Sequence, residues 1–169
     1  MKTLRLLTAA MLGSLSFLAA SCGDDDGNSN GGGTPTGEYV AAKVNGQDFA
    51  SSTLFDAVAA SNPNPTTLMV QGSDNGGNAI QIMILSFDGE GTYNLSNMTN
   101  GQMIYTKMQN MSAISYSSAA EGGASGTAQI TLADDTKVEG TFSFTGRRVQ
   151  EGSTETVNVT EGSFRANFQ

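Results

Sequence analysis

Asp88, Glu90, Glu139 and Glu161 are the side chains whose type suits general acid/base work. Glycoside hydrolysis uses two carboxyl groups held about 5–9.5 Å apart. These residues also have ordinary explanations: Asp88, like Asp134-Asp135, falls in a turn, and Glu139 falls on the outward face of a strand. The chain has 169 residues and no histidine, which removes serine–histidine and cysteine–histidine catalysis and histidine-based zinc sites. It carries no Gly-x-Ser-x-Gly elbow, no Ser-x-x-Lys pair and no Gly-Lys-Ser/Thr phosphate loop. The expectation is a protein that is not an enzyme and needs no cofactor.

Metal and anion chemistry is equally thin. Met98, Met103, Met108 and Met111 crowd one region, and thioethers can hold Cu(I), but methionine more often fills irregular core gaps. Ser73-Asp74-Asn75-Gly76-Gly77-Asn78 has the oxygen-rich composition of a calcium loop and equally that of a polar hairpin turn. Asp26, Asn28, Asn30 and Gly31 match the first half of a helix–loop–helix calcium site. The twelfth position is Gly37 rather than the required Glu, and no helical pattern flanks it, so the match is coincidental. Arg147-Arg148 is the one basic pair, suited to a solvated loop or to meeting a carboxylate or phosphate. No metal site is expected.

Cys22 is the one thiol, and its surroundings are specific. Lys2 and Arg5 give a positive start, an apolar run covers Leu6 to Ala20, and small residues lead into the cysteine. The run is shorter than the roughly 20 apolar residues a bilayer span needs, and the arrangement is that of a secretory signal. Ala19-Ala20-Ser21-Cys22 resembles a bacterial lipobox, in which the cysteine is acylated and the peptide before it removed. Two readings compete. Either Cys22 carries lipid and becomes the first mature residue, or cleavage nearby leaves a secreted protein with one unpaired thiol, a liability in an oxidising compartment. The first is favoured. The resemblance implies a diacylglyceryl group plus an amide-linked chain, and more than one chain is what stable anchoring requires. Asp24, Asp25 and Asp26 follow at once. They make a solvated acidic spacer, and they resemble the surface-export signal of Bacteroidetes-type lipoproteins. Gly23 stands where an inner-membrane retention signal would have Asp. The expected location is the outer membrane, lipid-anchored, with the cell surface favoured over the periplasmic face.

Residues 1–21 read as the signal peptide, 22–37 as an acidic, glycine-rich flexible tether and 38–169 as a single domain. Loss of Lys2 and Arg5 with the signal takes the net charge from −8 to −10. That balance argues against nucleic acid and anionic lipid as partners. With one cysteine no internal disulfide forms, so the fold rests on its core.

The elements that must position any site repeat with period two rather than 3.6. Val40, Ala42 and Val44 alternate with Tyr39, Ala41 and Lys43, and Asn45-Gly46 supplies a two-residue turn before Gln47-Asp48-Phe49. Thr67–Gly72 and Ala79–Phe87 form a hairpin. Ile80, Ile82 and Ile84 lie on one face of its second strand and Met83, Leu85 and Phe87 on the other, the pattern of a strand covered from both sides. Gly91–Leu95, Met103–Met108 and Ala113–Tyr116 are shorter strands, and Ser117–Ser125 is a small-residue loop. Ala128, Ile130 and Leu132 point inward. After the Asp134-Asp135 turn Val138, Gly140, Phe142 and Phe144 alternate with Lys137, Glu139, Thr141, Ser143 and Thr145, and a loop around Arg147–Gly152 leads to Val157 and Val159 and then Phe164, Ala166 and Phe168. The fold class expected is all-β: an antiparallel sandwich or barrel-like domain of about 8–10 short strands.

Val44-Asn45-Gly46-Gln47-Asp48-Phe49, Gly91-Thr92-Tyr93-Asn94-Leu95, Gly126–Leu132, Val138–Phe144 and Thr160-Glu161-Gly162-Ser163-Phe164 resemble the motifs of a family of small Bacteroidetes lipoproteins of unknown function. The resemblance covers most of residues 39–168. It implies fold and location and carries no chemistry. The segment Asp56–Thr66, with its Asn-Pro-Asn-Pro turn, looks individual to this chain. The function expected is a non-enzymatic, lipid-anchored domain that binds a protein or glycan partner through its loops. The alternatives are a lipocalin-like barrel around a small apolar ligand, which needs an apolar cavity, and a purely structural envelope protein.

Overall fold

The computed structural model describes residues 37–53, 58–61 and 66–169. Cys22, the run Asp24, Asp25 and Asp26, and the turn at 62–65 lie outside the described residues. Alternating sequence gives strands throughout the rest, with no helix among the described residues. They are β1 (Tyr39–Val44), β2 (Gln47–Ala50), β3 (Val58–Ala60), β4 (Leu68–Ser73), β5 (Ala79–Ile84) and β6 (Gly91–Asn94). There follow β7 (Ser96–Asn97), β8 (Gly101–Gln109), β9 (Ser112–Ser117), β10 (Ser125–Ala133), β11 (Lys137–Arg148) and β12 (Thr156–Asn167). The all-β class is as expected. The count of 8–10 short strands is corrected to twelve, because β3 and β7 are too brief to leave a pattern, and β11 and β12 run for 12 residues each.

All twelve strands belong to one antiparallel sheet, ordered β2-β1-β12-β11-β9-β8-β5-β4-β3. β10 pairs with β11 and carries β6, and β7 pairs with β8. The sheet curls round one core but does not close: β2 and β3 share no ladder. Among the described residues, contacts across the gap include a parallel bridge from Ala60 to Phe168, just past β12, the Gln169 amide on the Ala60 carbonyl (3.1 Å), and the Ser52 amide on the Ser73 carbonyl (2.8 Å). A single sheet decides against the two-sheet sandwich.

Two local devices set the register. Asn45 and Gly46 both take positive φ (50° and 80°), the geometry of the tight hairpin turn whose twist suits two adjoining strands. On β12, Val157 and Val159 face inward, yet so do Gly162, Phe164 and Ala166. The parity changes because Thr160 and Glu161 form a bulge, seen as the same register shift against both β1 and β11, with Glu161 at φ 53°. The bulge lets one long strand keep an apolar face to the core on both sides of a bend.

The interior is filled by side chains. Leu68, Ile80, Ile84, Leu95, Met103 and Ala128 are fully buried, and the Phe142 and Phe164 rings pack 6.3 Å apart. Gly162 sits against the Phe142 ring, which takes the room a side chain there would need. Burial of such apolar side chains, about 1.5–3 kcal/mol each, is the main stabilising term in a chain without disulfides. The expectation that β5 is covered on both faces is corrected. Ile80, Ile82 and Ile84 are buried, Gln81 and Met83 only half so, and the strand ends at Ile84. Phe87 then turns back to the core and stacks on Tyr93 (5.9 Å, 24°).

Candidate functional site

A cleft of about 230 Å3 opens at the turn end of the sheet. The β1–β2 turn, the β4–β5 turn, β8, β9 and the start of β12 frame it. Its floor is aromatic. Phe49 meets the Tyr105 ring edge-on (6.5 Å, 88°), and Tyr105 stacks on Tyr116 (6.3 Å, 24°). The β8–β9 hairpin brings the two tyrosines directly opposite each other. That hairpin turns at Asn110 and Met111, both at positive φ (51° and 60°).

Polar groups divide into those engaged by the fold and those left open. Asp74 is engaged: Oδ1 accepts from the Gly76 and Asn78 amides (2.8 and 2.9 Å) and Oδ2 from Asn78 Nδ2 (2.7 Å). Asn78 Oδ1 accepts from the Met108 amide (2.9 Å), and Asn45 Oδ1 from the Asn158 amide (2.8 Å). The Tyr116 hydroxyl donates to Glu155 Oε2 (3.3 Å), which also takes Arg148 Nη1 (3.0 Å). Open groups on the cleft include Gln47, Asp48 and Lys107 at the rim and the Tyr105 hydroxyl. Asp48 and Lys107 are exposed and make no side-chain hydrogen bond or close ion pair with a described residue, although Asp48 lies across the ladder from Lys43 and its charge reaches that ammonium. Tyr105 is only 8% exposed, and its hydroxyl, which has no hydrogen-bond partner among the described residues, reaches solvent at the cleft. Burial, and then the Asp74 charge, push its ionisation up, so it stands as a neutral donor. Burial and then Glu155 do the same for Tyr116.

The residues singled out by type are dispersed. Asp88 accepts from the Tyr93 hydroxyl (2.7 Å), and Glu161, at the bulge, pairs with Lys43 (2.9 Å). Glu139 lies between Arg165 and Lys137 on the outer face. Arg165 Nη2 donates to its Oε2 (3.2 Å), while Nε lies 3.0 Å from Oε1 in an ion contact without hydrogen-bond alignment. Arg165 first, then Lys137, hold the Glu139 carboxyl below its usual range. Asp134 is also lowered, by the Thr136 hydroxyl and amide it accepts from within its own turn. Met103 is buried in the core while Met98, Met108 and Met111 are exposed, so the four thioethers do not form a set of ligands. The Ser73–Asn78 segment is the hairpin turn, its carboxylate already taken by the chain's own N–H groups. Arg147 ties two loops together, with Nε donating to the Ser153 carbonyl (2.9 Å) and Nη1 to the Glu121 carbonyl (2.9 Å). Among the described residues no three acidic or thiol groups converge as a metal site would need.

Sequence reasoning did not single out Phe49, Tyr105 and Tyr116 as a group. The usable signal was the aromatic at an inward position next to a turn, in Asn45–Phe49 and again in Met103–Met108.

Over residues 37–166 the chain matches the family described as a domain of unknown function, DUF6252, and it belongs to that family. No curated protein and no solved structure matches it.

Proposed function

We propose that this is a lipid-anchored outer-membrane protein whose β-domain binds a ligand without transforming it, at the cleft between the β1–β2 and β4–β5 turns. The signal pattern ending at Cys22, and Asp24, Asp25 and Asp26 behind it, support the anchor and the outward location. The observation that carries the binding reading is the aromatic floor of Phe49, Tyr105 and Tyr116 beneath open polar groups, set on a filled and hydrogen-bonded scaffold. Small-molecule sites are concavities in which a few polar groups converge, and this cleft sets mainly polar groups over a narrow aromatic floor. The carboxyl groups with shifted ionisation, Asp134 and Glu139, are lowered, opposite to what a general acid at neutral pH needs. The filled interior weighs against the lipocalin-like alternative.

Thermal unfolding tests the reading, since a ligand that binds only the folded chain raises the midpoint. Soluble envelope polysaccharide and an envelope peptide digest are the two additives. The expected result is a rise with one of them that shrinks when the rim charge is reversed by Lys107→Glu. No rise with either additive would overturn the assignment of a ligand site.

A further inference from the structure

We infer that the cleft takes a short extended peptide segment, which adds to the open edge of β2 by main-chain hydrogen bonds and turns an acidic side chain toward Lys107. The inference rests on the reading of the cleft as a ligand site and names its ligand class. The register of the β1–β2 hairpin carries it. The two-residue turn makes Val44 and Gln47 a hydrogen-bonded pair, and such pairs alternate along an antiparallel ladder, so Ala42 and Phe49 form the next. The Ser51 amide on the Val40 carbonyl (2.8 Å) continues the series. Asp48 and Ala50, and Ser52 past the strand end, therefore direct their main-chain groups away from β1. The Ser52 amide meets the Ser73 carbonyl of β4 (2.8 Å), and there the pairing stops. Beyond that bond the cleft opens between β2 and the β4–β5 turn. Asp48 and Ala50 are left along the opening, and their outward N–H and C=O groups have no partner among the described residues.

An unpaired strand edge is a template for a further strand; main-chain bonds then supply the affinity and alternate side chains the selection. The opposite wall does not fill this edge, because its own main chain is engaged within the turn: the Asp74 amide donates to the Asn78 carbonyl (2.9 Å) and the Gly77 amide to the Asp74 carbonyl (3.2 Å). Asp48 and Ala50 lie two residues apart, about 7 Å along the strand, so one ligand reaching both needs a chain of roughly three residues. Size points the same way. A volume of about 230 Å3 lies below the roughly 300–1,000 Å3 of sites that enclose a drug-sized molecule, and suits a side chain of a ligand whose main chain runs along the rim. Charge sets which side chain. Lys107 follows the inward positions Met103 and Tyr105 on β8, and Phe49 faces the same interior from β2 while Asp48 faces out. A residue on the inner side of the added strand therefore meets the open ammonium, and a carboxylate complements it. A second copy of the chain fits less well, since each carries a net charge of −10 after loss of the signal and would bring its own Asp48 to the edge.

Amide-resolved hydrogen exchange on the whole protein in detergent tests this, read by NMR alone and with end-blocked pentapeptides Thr-Val-X-Val-Thr in which X is Glu or Lys. The Asp48 and Ala50 amides are expected to exchange readily in the free protein and to slow about tenfold or more with the Glu peptide, the tighter of the two. Lys107→Glu is expected to invert that preference. Ala50→Pro removes one outward N–H at a sheet edge, where proline is tolerated, and is expected to weaken the Glu peptide about fivefold with the thermal midpoint near that of the parent. Methylating alternate amide nitrogens of the peptide, in each of the two phases, leaves the protein untouched, and one phase is expected to lose binding. Binding indifferent to both phases and to Ala50→Pro would overturn strand addition and leave the ligand site standing. A preference unmoved by Lys107→Glu would overturn the selection of an acid. Protection of the two amides in the free protein would overturn the peptide as occupant, in favour of a second copy if the protection grew with protein concentration. Silence with both peptides would overturn the peptide inference, and the thermal scan with envelope polysaccharide then decides whether the ligand site falls with it.

Discussion

Two hydroxyls on buried residues, Ser118 and Tyr105, have opposite fates, the first enclosed and the second reaching solvent. Ser118 is fully buried; its Oγ accepts from the Met103 amide (2.8 Å) and donates to the Leu95 carbonyl, while its own amide donates to the Met103 carbonyl (2.9 Å). It thereby ties the end of β9 to β8 and to the link between β6 and β7. Ser118→Ala would leave a buried N–H and C=O without their partner, at a cost of about 1–3 kcal/mol. Denaturant unfolding is expected to show that loss, and an unchanged midpoint would mean that water replaces the hydroxyl. The Tyr105 hydroxyl has no such partner among the described residues and opens to solvent at the cleft, so the first hydroxyl is structural and the second is free to meet water or a ligand. Neither role was legible in the sequence. Ser118 stood inside a run of small residues that reads as loop, and its partners are 15 and 23 positions away. Tyr105 reads as one inward residue of a short strand, and only pairing across the sheet brings Tyr116 and Phe49 to it.

Between residues and molecule stand the long strands, where most of the fold was legible. β11 and β1 alternate with one face buried, so composition and side agree, and a slip of one residue would expose the whole apolar set. β10 does so only through Ile130, where a bulge turns Ala133 rather than the expected Leu132 onto the core. β12 hides its bulge, because Val157 and Phe164 differ in parity and nothing local announces the extra residue. β8–β9 hides its turn, since Asn110-Met111 lacks the glycine that marks such a turn, and Met111 holds positive φ at a steric cost. The bulge also explains Gly162. A Cβ there would lie 2.5 Å from the Phe142 carbonyl oxygen and 2.7 Å from its ring, at the place where β11 and β12 change register. Gly162→Ala is expected to destabilise the domain by about 1–3 kcal/mol through overpacking, read as a lower urea midpoint with an unchanged slope. A neutral result would mean that the strands separate there at no cost.

At the scale of the whole molecule, a β-domain with a filled interior offers its cleft at one end, while the signal pattern and the acidic run lie far earlier in the chain. A net charge of −10 after loss of the signal keeps anionic lipid from drawing the domain down onto the bilayer. On the proposed reading, membrane attachment depends on a lipid at Cys22 rather than on the surface of the domain. Two or more acyl chains make that attachment stable, and none leaves the domain soluble. The most direct measurement is fractionation of cells carrying the parent chain or Cys22→Ala, each probed for residues 39–169. The expected result is the parent in the outer-membrane fraction and Cys22→Ala in the soluble fraction, with equal thermal midpoints for the folded domain. Cys22→Ala remaining in the membrane fraction would contradict the lipid anchor.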